Sequence, residues 1–231
     1  MIRQTLANVT GGVEYDTQYA ADISQLSEAG TRDVLNKINT LLQQCPGHKF
    51  ALLGYSQGAT VTTEALTRIP NNSDAFKAVV AVVTVGNPRH NKNLQSNFDT
   101  DGGKSTAQGF GLLSYLPPIP GYWDKSGKVL DVCAHGDGVC DVTSGIGVGP
   151  AHFLYTTSQF TQDRSTEMMT AGFRDGEANS TSPTGNNGGN NGSDNGGSGG
   201  NSDAATHLSS DASRHATLLV AGLLAIGLST F

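Results

Sequence analysis

The sequence predicts an α/β protein, a three-layer sandwich in which helices cover both faces of a central parallel sheet. Short apolar runs alternate along the chain with segments of 3.6-residue apolar period, which is typical of strands joined by helical crossovers. The clearest of these runs, residues 78–85, is continuous and rich in β-branched residues, as expected of a strand that is buried on both faces. A chain of 231 residues is long enough for one such domain.

The first half of the chain predicts two strands and two helices. Residues 12–15 indicate a short strand, and residues 50–53 a buried one. A helix is predicted over residues 27–44, where it ends at Cys-Pro-Gly. Its apolar face comprises Val34, Leu35, Ile38, Leu41, Leu42 and Cys45. A second helix over residues 59–68 ends before Pro70.

The second half predicts two further strands, residues 78–85 and 129–132, and a last helix over residues 151–169. After it, residues 179–203 consist almost entirely of Gly, Asn, Ser, Asp, Thr and Pro. Such a stretch has too little apolar surface to offset its ordering entropy. We therefore predict a folded domain over residues 1–175, a disordered linker over residues 176–205 and a tail over residues 206–231.

The tail ends in the apolar run 216–231, which is short for a bilayer-spanning helix. Small residues at 201–205 and a polar spacer precede it, a pattern typical of a GPI-anchor signal. A tail anchor and a last core helix are the alternatives. The pattern predicts a protein that is secreted and held at the cell surface or wall, and the glycosylation sequons at Asn8, Asn71, Asn179 and Asn191 suit it.

The N-terminus does not match this prediction, because residues 1–12 contain no apolar signal-peptide core. We therefore expect the true N-terminus to be missing from this chain. The formal net charge is −6 and there is no basic run, which argues against a nucleic-acid partner. The expected state is a monomer.

Residues 54–58, Gly-Tyr-Ser-Gln-Gly, match the G-x-S-x-G pattern of a nucleophile elbow. Residues 196–200 also match, but they lie in the predicted linker. Only Ser56 has a predicted strand before it and a helix after it, the setting that an exposed nucleophile needs. The backbone N–H of Gln57 is then one candidate oxyanion donor. The alternative is a Gly-rich turn with Ser56 as a helix cap.

A serine nucleophile needs a base and an acid, in the chain order Ser, Asp or Glu, His for this fold class. The candidate bases are His90, His135 and His152, and we favour the last of them, at the start of the predicted last helix. Asp137 is the candidate acid, inside a short loop that a disulfide would brace. A turn aspartate and a surface histidine are the alternatives.

A metal site is a rival interpretation of the acid loop. Its possible ligands are Cys133, His135, Asp137 and Cys140, although zinc-binding cysteine pairs are usually closer in sequence.

Four ordered motifs resemble the cutinase family, which also includes acetylxylan esterases. They are Gly-Tyr-Ser-Gln-Gly-Ala at 54–59, Thr-Val-Gly-Asn-Pro-Arg at 84–89, Cys133 to Cys140, and Ala-His-Phe-Leu-Tyr at 151–155. The resemblance implies a lidless α/β-hydrolase-like fold, a Cys133–Cys140 disulfide, no metal and no cofactor. It also implies ester hydrolysis through an acyl-enzyme, with Ser56, His152 and Asp137 as the catalytic residues.

The chain departs from the family in four respects. The family's first strand, its second oxyanion donor and the cysteine partner of Cys45 are all expected upstream of this chain, so the first strand of the fold is expected to be missing. Asn87 also stands where the family usually has Asp. The predicted substrates are cutin-type polyesters or short acyl esters, with acetylxylan as the alternative. A non-catalytic GPI-anchored surface protein is the alternative of another class.

Overall fold

A computed structural model describes residues 1–22, 25–178 and 216–221. Its centre is a six-stranded sheet in the order β1-β6-β2-β3-β5-β4, in which every pairing is parallel. The strands are β1 Gly12–Asp16, β2 Lys49–Tyr55, β3 Val79–Val85, β4 Asn97–Phe98, β5 Val129–Val132 and β6 Ala216–Ala221. The helices are α1 Ile2–Ala7, α2 Glu28–Gln44, α3 Gln57–Arg68, α4 Asp74–Ala78, α5 Gly121–Asp124 and α6 Gln159–Ala178, and 3-10 turns cover Val142–Ser144 and Pro150–Thr156.

The sheet separates two apolar cores, which makes the molecule the predicted α/β three-layer sandwich. Successive strand residues point to opposite faces, so that Leu52 of β2 packs with α2 and α3 while Leu53 packs with α6. Trp123 of α5 is buried in the core under α2 and α3, and Phe173 of α6 is buried in the core on the opposite face. Burial on both faces explains why β2 and β3 are continuous apolar runs.

The predicted strands and the first two predicted helices are confirmed, with bounds that differ by a few residues. The prediction of one helix over residues 151–169 is wrong. That segment holds a 3-10 turn, Pro150–Thr156, followed by α6 from Gln159. The Ser158 hydroxyl accepts a hydrogen bond from the N–H of Thr161 at 3.1 Å, a helix-capping contact that starts a new helix here.

The described part of the tail belongs to the sheet, which the sequence analysis did not anticipate. Residues 216–221 form β6, between β1 and β2. A continuous apolar run of this length suits a doubly buried parallel strand, but the position of the run at the chain end suggested a membrane signal. The predicted spacer, the rest of the tail and the linker from residue 179 onward lie outside the described residues, and α6 extends past the predicted boundary at residue 175.

No helix in the described ranges is both long and apolar enough to cross a membrane. Cys45, at the end of α2, is a free cysteine.

A buried histidine–aspartate pair joins β5, which carries Asp131, to the loop after β3, which carries His90. Nδ1 of His90 lies 2.8 Å from Oδ2 of Asp131, and Nε2 lies 3.1 Å from the carbonyl oxygen of Thr106. Both ring nitrogens therefore face acceptors, which requires the imidazolium form. Burial by itself lowers the pKa of His90, but the Asp131 carboxylate and the Thr106 carbonyl outweigh it and raise that pKa above its ordinary value.

Folding stability should fall as pH rises because of this pair. The raised pKa of His90 makes its contribution complete below the unfolded value of about 6.5, and the contribution is lost as pH rises through the folded pKa. Replacing His90→Gln should cost about 3–5 kcal/mol at pH 6, since it leaves Asp131 buried without its charge partner. The difference in unfolding free energy between His90→Gln and the parent should narrow as pH rises above about 6.5.

The measurement is denaturant unfolding from pH 6 to pH 9, with His135→Gln as the matched control because His135 is exposed. A cost for His90→Gln that is independent of pH would contradict a charged His90.

Candidate active site

Ser56 lies on a sharp turn between β2 and α3. Its backbone adopts φ 55° and ψ −120°, a conformation that is strained for a non-glycine residue. The turn brings the chain so close to itself that a Cβ on Gly54 would lie 2.5 Å from the carbonyl oxygen of Gly58. The N–H of Ser56 donates to the carbonyl of Val85 at 3.0 Å. The turn is thereby fixed at the carboxyl edge of the sheet, where the Ser56 hydroxyl is held.

The predicted oxyanion donor, Gln57, is the first residue of α3. Its backbone N–H lies in the first turn of the helix, where N–H groups lack helical partners and the positive end of the helix dipole favours an anion. The Gln57 side chain is buried, and neither of its polar atoms has a hydrogen-bond partner among the described residues.

His152 connects Ser56 to Asp137. Its Nε2 lies 2.9 Å from Oγ of Ser56, and its Nδ1 lies 2.8 Å from Oδ2 and 3.0 Å from Oδ1 of Asp137. An ionised Asp137 accepts the proton on Nδ1, which leaves Nε2 free to accept the Ser56 hydroxyl proton. The structure therefore brings together the three residues that the sequence analysis selected.

Gly86, at the end of β3, permits this approach. Its φ is +58°, and a Cβ at this position would lie 2.7 Å from Cε1 of His152. A side chain here would displace the imidazole, so the close packing of the ring against the β3 terminus requires glycine.

Asp137 is held in a loop closed by the Cys133–Cys140 disulfide. It is fully buried, and its Oδ1 accepts a hydrogen bond from the N–H of Val139 at 3.0 Å. The disulfide was implied by the family resemblance and is present. The rival metal site is excluded in this form, because the two sulfurs are bonded to each other.

Two tyrosines that the sequence analysis did not select support the acid and the base. Tyr155 donates its hydroxyl proton to Oδ2 of Asp137 and accepts the N–H of Ala134 at 2.9 Å. Burial and the charge of Asp137 raise the pKa of Tyr155 well above its ordinary value. The hydroxyl is therefore a permanent donor to the carboxylate.

Tyr55 supports His152 from the other side. Its hydroxyl donates to the carbonyl of His152 at 2.7 Å, and the two rings stack with centroids 5.1 Å apart. Burial and the Asp137 charge raise the pKa of Tyr55 to about 12. Both tyrosines lie close to selected residues in the sequence, but only the fold shows where their hydroxyls point.

The remaining sequence candidates lie outside this arrangement. His90 belongs to the buried pair with Asp131, and His135 is exposed. Asn87 is buried, donates to Oγ1 of Thr63 at 3.2 Å and accepts the N–H of Arg89 at 2.9 Å. Its amide thus secures the chain after β3. Among the described residues, no group of three or more His, Cys, Asp or Glu side chains is placed to hold a metal ion.

Comparison with known proteins places these features in a family. The model of the family described as Cutinase matches residues 1–167. Cutinase 11 of Verticillium dahliae is 31% identical over 123 residues, which cover 48% of this chain and 39% of the relative. The probable carboxylesterase Culp3 of Mycobacterium tuberculosis is 30% identical over 141 residues, which cover 57% of this chain and 45% of the relative. The chain thus spans less than half the length of these curated relatives.

A solved structure gives the same result over more of the chain. A cutinase-like protein from Cryptococcus sp. superposes with a TM-score of 0.70 and 38% identity, covering 74% of this chain and 85% of that structure. With a family match over most of the length and a shared fold at this identity, the chain belongs to the cutinase family.

Proposed function

We propose that this protein is a serine carboxylic-ester hydrolase that acts through an acyl-enzyme, with its catalytic residues in the predicted 1–175 domain. The observation that carries the proposal is the continuous hydrogen-bonded chain from Oγ of Ser56 through His152 to Asp137. Nucleophile, base and orienting acid in hydrogen-bond contact are what activation of a serine hydroxyl requires.

In the first step, Nε2 of His152 takes the hydroxyl proton as Oγ of Ser56 attacks the ester carbonyl carbon. The negative charge that develops on the carbonyl oxygen is stabilised by the N–H of Gln57 at the start of α3. Collapse of the tetrahedral intermediate breaks the bond to the leaving oxygen, and His152 returns its proton to the alcohol. The acyl group remains on Ser56.

In the second step, His152 takes a proton from water, and the oxygen of that water attacks the acyl carbon. The new intermediate collapses to release the carboxylic acid and restores the Ser56 hydroxyl. Asp137 stays ionised and stabilises the imidazolium in both steps. The buried donors Tyr155 and Val139 keep its carboxylate oriented towards Nδ1 of His152.

Exposed apolar side chains next to His152 and on segments bonded to the acid loop suggest the substrate class. We define as the apolar rim the exposed residues Phe110, Leu112, Ile146, Val148, Phe153 and Leu154. Phe153 directly contacts the His152 ring, and the segments that carry Leu112 and Ile146 bond to the loop after Asp137. An apolar rim favours aliphatic acyl chains or polyesters over the polar chain of acetylated xylan, although one relative is named acetylxylan esterase.

The Cys133–Cys140 disulfide supports secretion to an oxidising compartment as part of the same proposal. Attachment through a GPI anchor would require removal of the segment that contains β6. Anchor attachment and retention of β6 are therefore mutually exclusive, and the mass of the secreted protein distinguishes them.

Labelling with a p-nitrophenyl alkylphosphonate tests the nucleophile. The parent chain should gain one adduct, measured as intact mass, and Ser56→Ala should gain none and lose at least about 10³-fold in esterase rate. Ser198→Ala removes the serine of the second G-x-S-x-G match and should behave as the parent. Labelling that survives Ser56→Ala would refute the assignment of the nucleophile, and a folded parent that is not labelled would refute the enzyme proposal.

Tyr155→Phe tests the orientation of the acid. The variant removes a charge-assisted hydrogen bond to Asp137, so kcat/KM should fall about tenfold, equivalent to about 1.4 kcal/mol. An Asp137 carboxylate with one donor fewer stabilises the imidazolium more strongly, so the acidic limb of the pH–rate profile should move to higher pH. Tyr15→Phe removes a tyrosine–aspartate contact between β1 and α2 and should leave the profile unchanged. A profile that Tyr155→Phe does not move would indicate a purely structural tyrosine.

The acyl-chain preference tests the substrate class. We expect p-nitrophenyl butyrate to exceed the acetate in kcat/KM by about tenfold, because each buried methylene contributes about 0.8 kcal/mol. Phe153→Ser should reduce this ratio, whereas Val13→Ser, at an exposed apolar position on β1, should not. A ratio in favour of acetate would indicate the acetylxylan esterase alternative.

A further inference from the structure

The strand β6 reaches the middle of the sheet from the far end of the chain. Its neighbours are β1 and β2, which end at Asp16 and Tyr55, whereas β6 begins at Ala216. Between α6 and β6 lie residues 179–215, which are dominated by Gly, Asn and Ser. Such a segment of 37 residues can extend to about 120 Å, so it sets little constraint on where β6 binds. The position of β6 must therefore come from its own contacts.

Those contacts include backbone pairing along both edges. Residues Gly12 to Asp16 pair with 216–220 on one side, and Lys49 to Gly54 pair with 216–221 on the other. The ladder with β1 continues past its end, where the N–H of Thr17 donates to the carbonyl of Val220 at 2.8 Å. A strand bonded on both edges has no exposed backbone groups along its length.

The side chains of β6 fill both cores. Leu218 is fully buried in the core under α6, and Leu219 is 1% exposed in the core under α2 and α3. Oγ1 of Thr217 lies 2.6 Å from Nε2 of His48, a polar contact that matches one residue of the strand to one position on its neighbour. The alternation of β6 side chains between the two cores fixes the register of the strand, because a shift by one residue would exchange its two faces.

β1 depends on this strand. Among the described strands, β1 pairs only with β6, and three of its five residues are exposed. Without β6, β1 would have no sheet partner, and the buried edge of β2 would expose its N–H and C=O groups to water. The strand also borders the candidate active site, since Ala221 pairs with Gly54, two residues before Ser56.

We propose that the space between β1 and β2 is a binding site for an extended, parallel, apolar segment, and that its occupant is residues 216–221 of the same chain. The segment is an intramolecular ligand that a long polar connection tethers to the rest of the chain. Because its own contacts hold it in the sheet, it remains bound when that connection is cut. This assignment rests on strand pairing and core packing alone and is independent of the proposed hydrolysis. It also means that residues 216–221 are retained in the folded protein.

The test is made on the full chain, with a site for a sequence-specific protease inserted between Gly196 and Gly197. After cleavage, native mass spectrometry should find the C-terminal piece bound to the body, and Tm should change by less than about 2 °C. A piece that separates while Tm stays unchanged would overturn the proposal.

Two variants and a control make the result specific. Leu219→Pro removes a ladder N–H, so it should release the piece after cleavage and lower the Tm of the uncut chain by roughly 6–12 °C. The milder Leu218→Ala should fold and should weaken retention of the piece at least about tenfold. Asn195→Pro, in the Gly- and Asn-rich connection, should change neither readout. Retention that is unaffected by Leu218→Ala and Leu219→Pro would overturn the assignment of β6.

Two further outcomes would also overturn the proposal. The uncut chain could be a dimer, and the cleaved chain could keep the C-terminal piece only in that dimer. This result would show that the strand comes from a second copy. The full chain, fused to a secretion signal and expressed in a eukaryotic host, could also lose the segment that follows the small residues at 201–205. A mass that lacks this segment would show that the run is removed as an anchor signal. Phosphonate labelling of Ser56, followed in parallel, separates failure of this proposal from failure of the hydrolase.

Discussion

The parallel pairing of β2 with β3 is the constraint on which the rest of the site depends. Because Tyr55 pairs with Val85, the residues that follow them, Ser56 and Gly86, emerge side by side at one edge of the sheet. The first carries the hydroxyl, and the second leaves room for His152. Burial of both strands on two faces makes this pairing costly to shift. A strained serine backbone is therefore held by the two cores of the molecule.

A second constraint is that the carboxylates near this edge are buried and need hydrogen-bond donors. Asp137 is fully buried, yet its oxygens face donors from Val139, Tyr155 and His152. Each donor stabilises the ionised form and fixes its direction. The neighbouring pair of His90 and Asp131 follows the same rule with an imidazolium. The described residues near this edge thus hold two buried carboxylate–histidine pairs, and it is the imidazole of His152 that reaches a serine hydroxyl.

The position of β6 connects the sheet to the chain end. A strand between β1 and β2 joins both cores and bonds on both edges, and it borders the strand that leads to Ser56. If this strand is an intramolecular ligand, as we propose, the integrity of the candidate active site depends on a segment that is about 160 residues distant from it in sequence. The length and composition of the connecting segment then affect the binding of β6 less than the six residues of the strand do.

The sequence by itself determined the α/β class, the main strands and helices, and the choice of Ser56, Asp137 and His152, because apolar period and short motifs are local properties. The roles of Tyr55 and Tyr155 were decided only in the tertiary structure, since hydroxyl direction depends on packing between distant segments. The same holds for β6. An apolar run of this kind suits a membrane signal or a buried strand equally well, and the pairing of residues 216–221 with β1 and β2 is visible only in the tertiary structure.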